Sequence, residues 1–176
     1  MFAGKIGWHI PMLMRRAEPE ESDRLGAFVL MITDEVYGYL WTMPSLTEAR
    51  SAVAARIRNE DWSRAWVAFD DEILVGTLLT DAEWIDDLWV SKGYRGRGIG
   101  RQLLSRGEAE IAARGYQTLR LRVVKTNSSA VGFYERLGWK IEKEFPHETL
   151  GALPMLEMSK RVDPKWAAPF SSPDGQ

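Results

Sequence analysis

The segment Ile85-Asp-Asp-Leu-Trp-Val-Ser-Lys-Gly-Tyr-Arg-Gly-Arg-Gly-Ile-Gly-Arg-Gln-Leu-Leu104 limits the folds open to this chain more than any other. Ile85 to Val90 reads as a strand, glycines at 96, 98 and 100 interrupt it, and Arg97 to Arg114 then carries Ile99, Leu103, Leu104 and Ile111 at helical spacing before Gly115. A strand, a glycine turn and a helix in succession leave the N–H groups of the first helical turn facing whatever lies beyond the strand. Glycine lets the backbone approach a ligand closely, and a helix N-terminus favours an anion, so the segment suits a phosphate or pyrophosphate. Spacing removes two nucleotide motifs. A dinucleotide fingerprint needs a third glycine three residues after Gly98, where Arg101 stands, and a P-loop needs Lys-Ser/Thr where Ile99-Gly100 stands.

The rest of the chain mixes the same elements. Pro11 to Arg16 reads as a short strand, followed by a helix that starts at the acidic Pro19-Glu-Glu-Ser-Asp stretch and runs to about Tyr39. Leu46 to Arg58 reads as a second helix, with Ser45 and Glu48 as its capping box. Ala65 to Phe69 and Ile73 to Leu79 form a hairpin around Asp70-Asp71. Thr118 to Val124 is a strand, Ser128 to Leu137 a helix closed by Gly138, and Trp139 to Lys143 and Leu153 to Ser159 are closing strands. The class is α/β or α+β, with a mixed sheet flanked by helices.

Composition narrows the chemistry. At 176 residues and 45% hydrophobic, the chain predicts one domain over residues 1–162, with a loose Pro/Ser/Gly-rich tail over 163–176. No secretory leader and no membrane-length apolar run are evident, so the expectation is a cytoplasmic protein without a membrane partner. A net charge of −2 gives no global basic field and no expected nucleic-acid partner. With no cysteine there is no thiolate metal site and no thioester on the protein, and two isolated histidines, His9 and His147, do not make a metal centre. Catalysis falls to carboxylates, Tyr, Ser/Thr or backbone.

Arg95-x-x-Gly98-x-Gly100 after a strand resembles the acyl-CoA pyrophosphate loop of the GCN5-related N-acetyltransferase (GNAT) family. Asn127-Ser-Ser-Ala-Val-Gly-Phe-Tyr-Glu-Arg-Leu-Gly-Trp139 resembles that family's second signature, N-x-x-A-x-x-F-Y-x-x-x-G-[FW]. The resemblance covers about residues 65–139. It implies a mostly antiparallel mixed sheet whose fourth and fifth strands splay in a V to admit acetyl-CoA. By the same resemblance, the backbone of Leu88, Trp89 and Val90 would bond the pantetheine amides, with Val90 N–H on the thioester oxygen. Arg95, Gly96, Arg97, Gly98, Ile99, Gly100 and Arg101 would hold the pyrophosphate, and Asn127 would reach the pantetheine. Lys92 and Arg106 read instead as a solvated face.

The implied activity is direct acetyl transfer from acetyl-CoA to a primary amine. Tyr134 stands where the family has a tyrosine that protonates the coenzyme A sulfur, while its neighbour Phe133 packs. Asp81, Glu83, Asp86 and Asp87 crowd the entry to the splayed strand. Strand alternation would point Asp86 and Asp87 to opposite faces, so that at most one lines the site directly. The resemblance, through the acidic position that polyamine-type members of the family carry here, implies Asp86 as the base, with Asp87 in reserve. Asp34 and Glu35 beside Tyr37, Tyr39 and Trp41, with Glu83 and Asp87, suggest a pocket for a small cationic amine. The rival readings are acetylation of a protein N-terminus or lysine, and a non-catalytic acyl-CoA-binding module. A homodimer is compatible with either.

Overall fold

The computed structural model describes residues 12–42, 47–148 and 153–163. The first residues including His9, the Ser45 cap and the tail after 163 lie outside the described residues, as does the side chain of Trp41. Among the described residues, seven strands and four α-helices follow in the order β1 (Leu13–Arg16), α1 (Ser22–Tyr37), α2 (Thr47–Asn59), β2 (Trp66–Asp70), β3 (Ile73–Asp81), β4 (Trp84–Val90), α3 (Ile99–Ala113), β5 (Thr118–Val124), α4 (Ser128–Arg136), β6 (Lys140–Pro146) and β7 (Pro154–Arg161). They form one mixed sheet of order β1-β2-β3-β4-β5-β7-β6, antiparallel except where β4 meets β5. This is the architecture that the resemblance of the two motifs implies.

Strand alternation supplies both faces of the sheet with apolar side chains. Val67, Phe69, Leu74 and Leu79 face a core shared with Leu25, Val29 and Ile32 of α1 and Ile57 of α2. Ala68, Val75 and Leu78 face the opposite core, built on Ile99, Leu103, Leu104 and Ile111 of α3 with Tyr134 of α4. Each fully buried Leu or Ile here contributes about 1.5–3 kcal/mol relative to exposure. The α3 contact is close: a Cβ added to Gly107 would lie 2.8 Å from Leu78 Cδ2 and 3.0 Å from Ile85 Cδ1.

β4 and β5 run parallel and pair only at Trp84↔Arg120 and Ile85↔Leu121, supported by the Arg120 N–H to Glu83 C=O bond of 3.0 Å. Beyond that point β4 stays with β3 while β5 pairs with β7 along its whole length. The two central strands therefore part, and the gap opens toward their C-terminal ends, where an open α/β sheet binds ligands.

Candidate active site

Among the described residues, the parting strands bound a cavity of about 730 Å3, within the range of cofactor and small-molecule sites. One end is formed by the glycine turn. Gly96 and Gly98 hold φ of +76° and +81°, a conformation a side chain would strain, and Gly98 is the residue from which α3 starts. The cavity wall there includes Arg95, Gly96, Gly98, Ile99, Gly100 and Arg101. Arg95 donates Nε–H to Val90 C=O at 2.9 Å and pairs with Glu35 of α1 at 3.1 Å. Arg97, expected beside them, instead lies over the Tyr94 ring at 4.9 Å and is not part of the wall.

The β4 backbone carries the next groups. Ser91 N–H bonds to Val75 C=O on β3, and bonding direction alternates along a strand. Trp89 therefore directs its backbone groups to β3, whereas the N–H groups of Leu88 and Val90 face the gap. This corrects the expectation that all three residues offer amides to a ligand. Trp89 contributes its side chain, which lies edge-on to Tyr37 at 6.2 Å and donates its indole N–H to Asp87 at 2.8 Å.

At the far end stand the carboxylates. Leu79 pairs with Asp87 and Thr80 with Ile85, so Asp86 is an extra residue in β4, a β-bulge. The bulge cancels the alternation on which opposite facing rested, and both Asp86 and Asp87 line the cavity. Arg56 of α2 joins them, 3.2 Å from Asp87 Oδ2 and 3.7 Å from Asp86 Oδ2. Asp87 is buried and its pKa is pushed up to about 6, chiefly by loss of water and further by Asp86, against the pull of Arg56 and the Trp89 indole. The Asp86 side chain retains 42% of its exposure.

Tyr134 lines the same cavity from α4, buried against Phe133 and Trp139. Burial drives its pKa well above the ordinary phenol value, with Tyr37 and Asp87 adding to the shift, so it remains protonated at any physiological pH. Asn127 caps α4 by accepting the Ala130 N–H on Oδ1, which turns its Nδ2 to donate to the Tyr37 hydroxyl at 3.1 Å. Asn127 and Tyr37 both line the cavity, but the first side chain is occupied as a cap and as an orienter of the second.

Three expected acceptor residues lie elsewhere. Asp34 pairs with Arg50 at 2.7 Å, Glu35 with Arg95, and Glu83 precedes β4; none lines the cavity. Each was chosen for charge close to a motif in sequence, and arginines remote in sequence claim two of them. Arg56 and Arg122, by contrast, line the cavity and carried no sequence signal, because a lone arginine on a helix or strand reads as solvated. Among the described residues no cluster of three or more His, Cys, Asp or Glu could hold a metal, and no helix is long and apolar enough to cross a membrane.

Residues 28–139 match the acetyltransferase (GNAT) family. The chain is 30% identical over 149 residues to peptidyl-lysine N-acetyltransferase YjaB of Salmonella typhimurium, covering 82% of this chain and 95% of that protein. It is 34% identical over 77 residues to blasticidin-S acetyltransferase of Streptomyces morookaense, 42% of this chain and 56% of that one. Among solved structures it is similar to apo YjaB of Escherichia coli (TM-score 0.68, 24% identity, 84% of this chain and 96% of that one). It is also similar to PaiA N-acetyltransferase of Thermoplasma acidophilum in complex with coenzyme A (TM-score 0.64, 20% identity, 86% and 99%). Both structural likenesses are of fold.

Proposed function

The chain belongs to the GNAT family of acetyltransferases and is an acetyl-CoA-dependent N-acetyltransferase; from that premise we propose that it acetylates the primary amine of a small molecule held at the Asp86 end of the cavity. The observation that carries this reading is the parting of β4 and β5, which joins the glycine turn, the free Leu88 and Val90 amides, Tyr134 and two carboxylates in one cavity. Gly96 to Arg101 offer N–H groups and guanidinium charge to the cofactor phosphates. Leu88 and Val90 N–H bond the pantetheine arm and the thioester oxygen, where they stabilise the charge that develops on attack.

Asp86 takes the proton of the incoming ammonium. Its oxygens meet Arg56 only at 3.7 Å and reach both cavity and solvent, whereas Asp87 is filled by Arg56 and the Trp89 indole. Asp87 thus serves by holding Arg56. The amine nitrogen then attacks the thioester carbon, and the C–S bond breaks with the electron pair on sulfur. Tyr134 donates a hydrogen bond to that sulfur. A thiol is a stronger acid than a buried phenol, so proton transfer from Tyr134 is uphill unless the nitrogen of the intermediate returns its proton to the phenolate. The cavity therefore favours one coupled proton passage from nitrogen to sulfur through Tyr134.

A thiol-release assay with acetyl-CoA across amines tests this. Tyr134→Phe should lower kcat by about 10²-fold, the lower range for general acid–base groups, with acetyl-CoA binding retained. Binding without turnover of any amine by the unmodified protein would refute the enzyme reading. A second reading, acetylation of peptidyl lysine, is favoured by the likeness to YjaB over nearly its full length. Turnover of lysine peptides above all small amines would select it. The expected preference for a cationic small molecule loses Asp34 and Glu35, which are paired away from the cavity, and rests on Asp86, Asp87 and Tyr37, which line it.

A further inference from the structure

The acceptor end of the cavity is not an acidic pocket. Facing Asp86 and Asp87 across the parted strands is Arg122 of β5, one residue beyond the Ile85↔Leu121 pair. Continued one step past its last pair, the register would bring Arg122 opposite Asp86. The glycine turn follows Val90, four residues or about 13 Å farther along β4, so Arg122 stands too far back to serve the pyrophosphate. It also points to the α1 side of the sheet. Its neighbour in alternation, Val124, packs with Leu40 and Met155 there, while Leu121 and Val123 face the α3 core.

The guanidinium of Arg122 is held by aromatic rings, 4.8 Å from the Trp84 centroid and 5.5 Å from that of Phe145. Two rings on the guanidinium confine it, and an arginine so confined can bond a planar anion in bidentate fashion. Its ionic partner is Glu148 at 3.9 Å, a carboxylate whose own side chain is 82% exposed and which costs little to displace. Arg56 adds a second cation at the same end, and His147 senses both: after burial, Arg122 and Arg56 lower its pKa while Glu148 opposes them.

Resting on the reading that an amine is bound beside Asp86, we propose that Arg122 binds a carboxylate of the acceptor, so that the substrate class is a small amino carboxylate. The amine faces Asp86 and the carboxylate crosses the gap to Arg122. A small amino carboxylate offers a partner to each charge; a polyamine leaves Arg122 facing a like charge.

The test is thiol release from acetyl-CoA with the common L-amino acids, β-alanine and 4-aminobutyrate, each against its own carboxamide, together with spermidine and a lysine peptide. The best amino acid should exceed its carboxamide by about 10- to 100-fold in kcat/KM, the range for a charge-assisted bond made to one substrate only. Arg122→Gln should cost the acid far more than the carboxamide and so erase the preference between them, and Arg122→Lys should retain part of the preference. Equal use of acid and carboxamide by the unmodified protein, equal loss of both in Arg122→Gln, or turnover confined to spermidine or the peptide would overturn the assignment while leaving acetyl transfer intact. Acetyl-CoA binding with no thiol release to any amine would overturn both readings.

Discussion

Replacing Asp87 by Asn should make the protein more stable at neutral pH. Asp87 is buried, and its pKa rises from the ordinary 3.8 to about 6, so the fold binds its proton more tightly than the unfolded chain does. The stabilisation linked to that proton is complete below about pH 4 and is lost as pH rises through about 6. Above that, the ionised carboxylate costs on the order of 3 kcal/mol. Asparagine keeps the shape and the acceptor oxygen for the Trp89 indole without the charge, and Arg56 keeps Asp86 as a partner. For a domain of this size the gain corresponds to a rise of about 6–12 °C in Tm. Thermal unfolding of both proteins from pH 3.5 to 8 reads it directly. The Tm difference should be small near pH 4, grow between 4 and 6, and level off above 7. A variant that melts at or below the unmodified protein at pH 7.5 would refute the reasoning, since the Arg56 and Trp89 bonds would then outweigh the desolvation of the charge.

Gly107→Ala should cost about 1–3 kcal/mol, because its Cβ would press on Leu78, Ile85 and Thr80 where α3 meets the sheet, and chemical denaturation will show the loss as a lower midpoint at unchanged slope. Asn127→Ala should remove the α4 cap at a cost of about 0.5–2 kcal/mol and also release the Tyr37 hydroxyl. The comparison with Tyr37→Phe, which loses only the second bond, separates the two effects in a melting experiment.

What was legible in the sequence is local. The glycine turn and the start of α3 are written in consecutive residues, since Gly98 must adopt a positive φ and Ile99, Leu103 and Leu104 must repeat at helical spacing. The β-bulge was not legible, because it is a mismatch in pairing between β3 and β4 rather than a property of either strand. Strand alternation, sound for Leu88 and Val90, failed at Asp86 for that reason alone. Arg56 and Arg122 were hidden for a related cause: the first lies 31 residues before Asp87 and the second 36 after Asp86, and only the parted sheet brings them together. The tryptophans divide along the same line. Trp89 and Trp84 touch groups of the site, Trp139 is core and bonds Glu108, and Trp66 lies under Arg16 and Arg106, so the Arg106 expected on a solvated face also covers a ring.

Helix α1 ties the two ends of the cavity together. Glu35 holds Arg95 at the glycine turn, and two residues later Tyr37 takes the Asn127 hydrogen bond and packs on Trp89, which in turn bonds Asp87. A phosphate arriving at Arg95 competes with Glu35 for the same guanidinium, whereas Tyr37 is fixed by burial and by an uncharged bond that salt does not screen. Of the carboxylates that looked like an acceptor pocket, Glu35 thus belongs to the support of the glycine turn, whereas Asp34 pairs with Arg50 of α2. The far end of the cavity owes its character to residues from α2, β4 and β5, and its charge is mixed because Arg56 and Arg122 line it with Asp86 and Asp87.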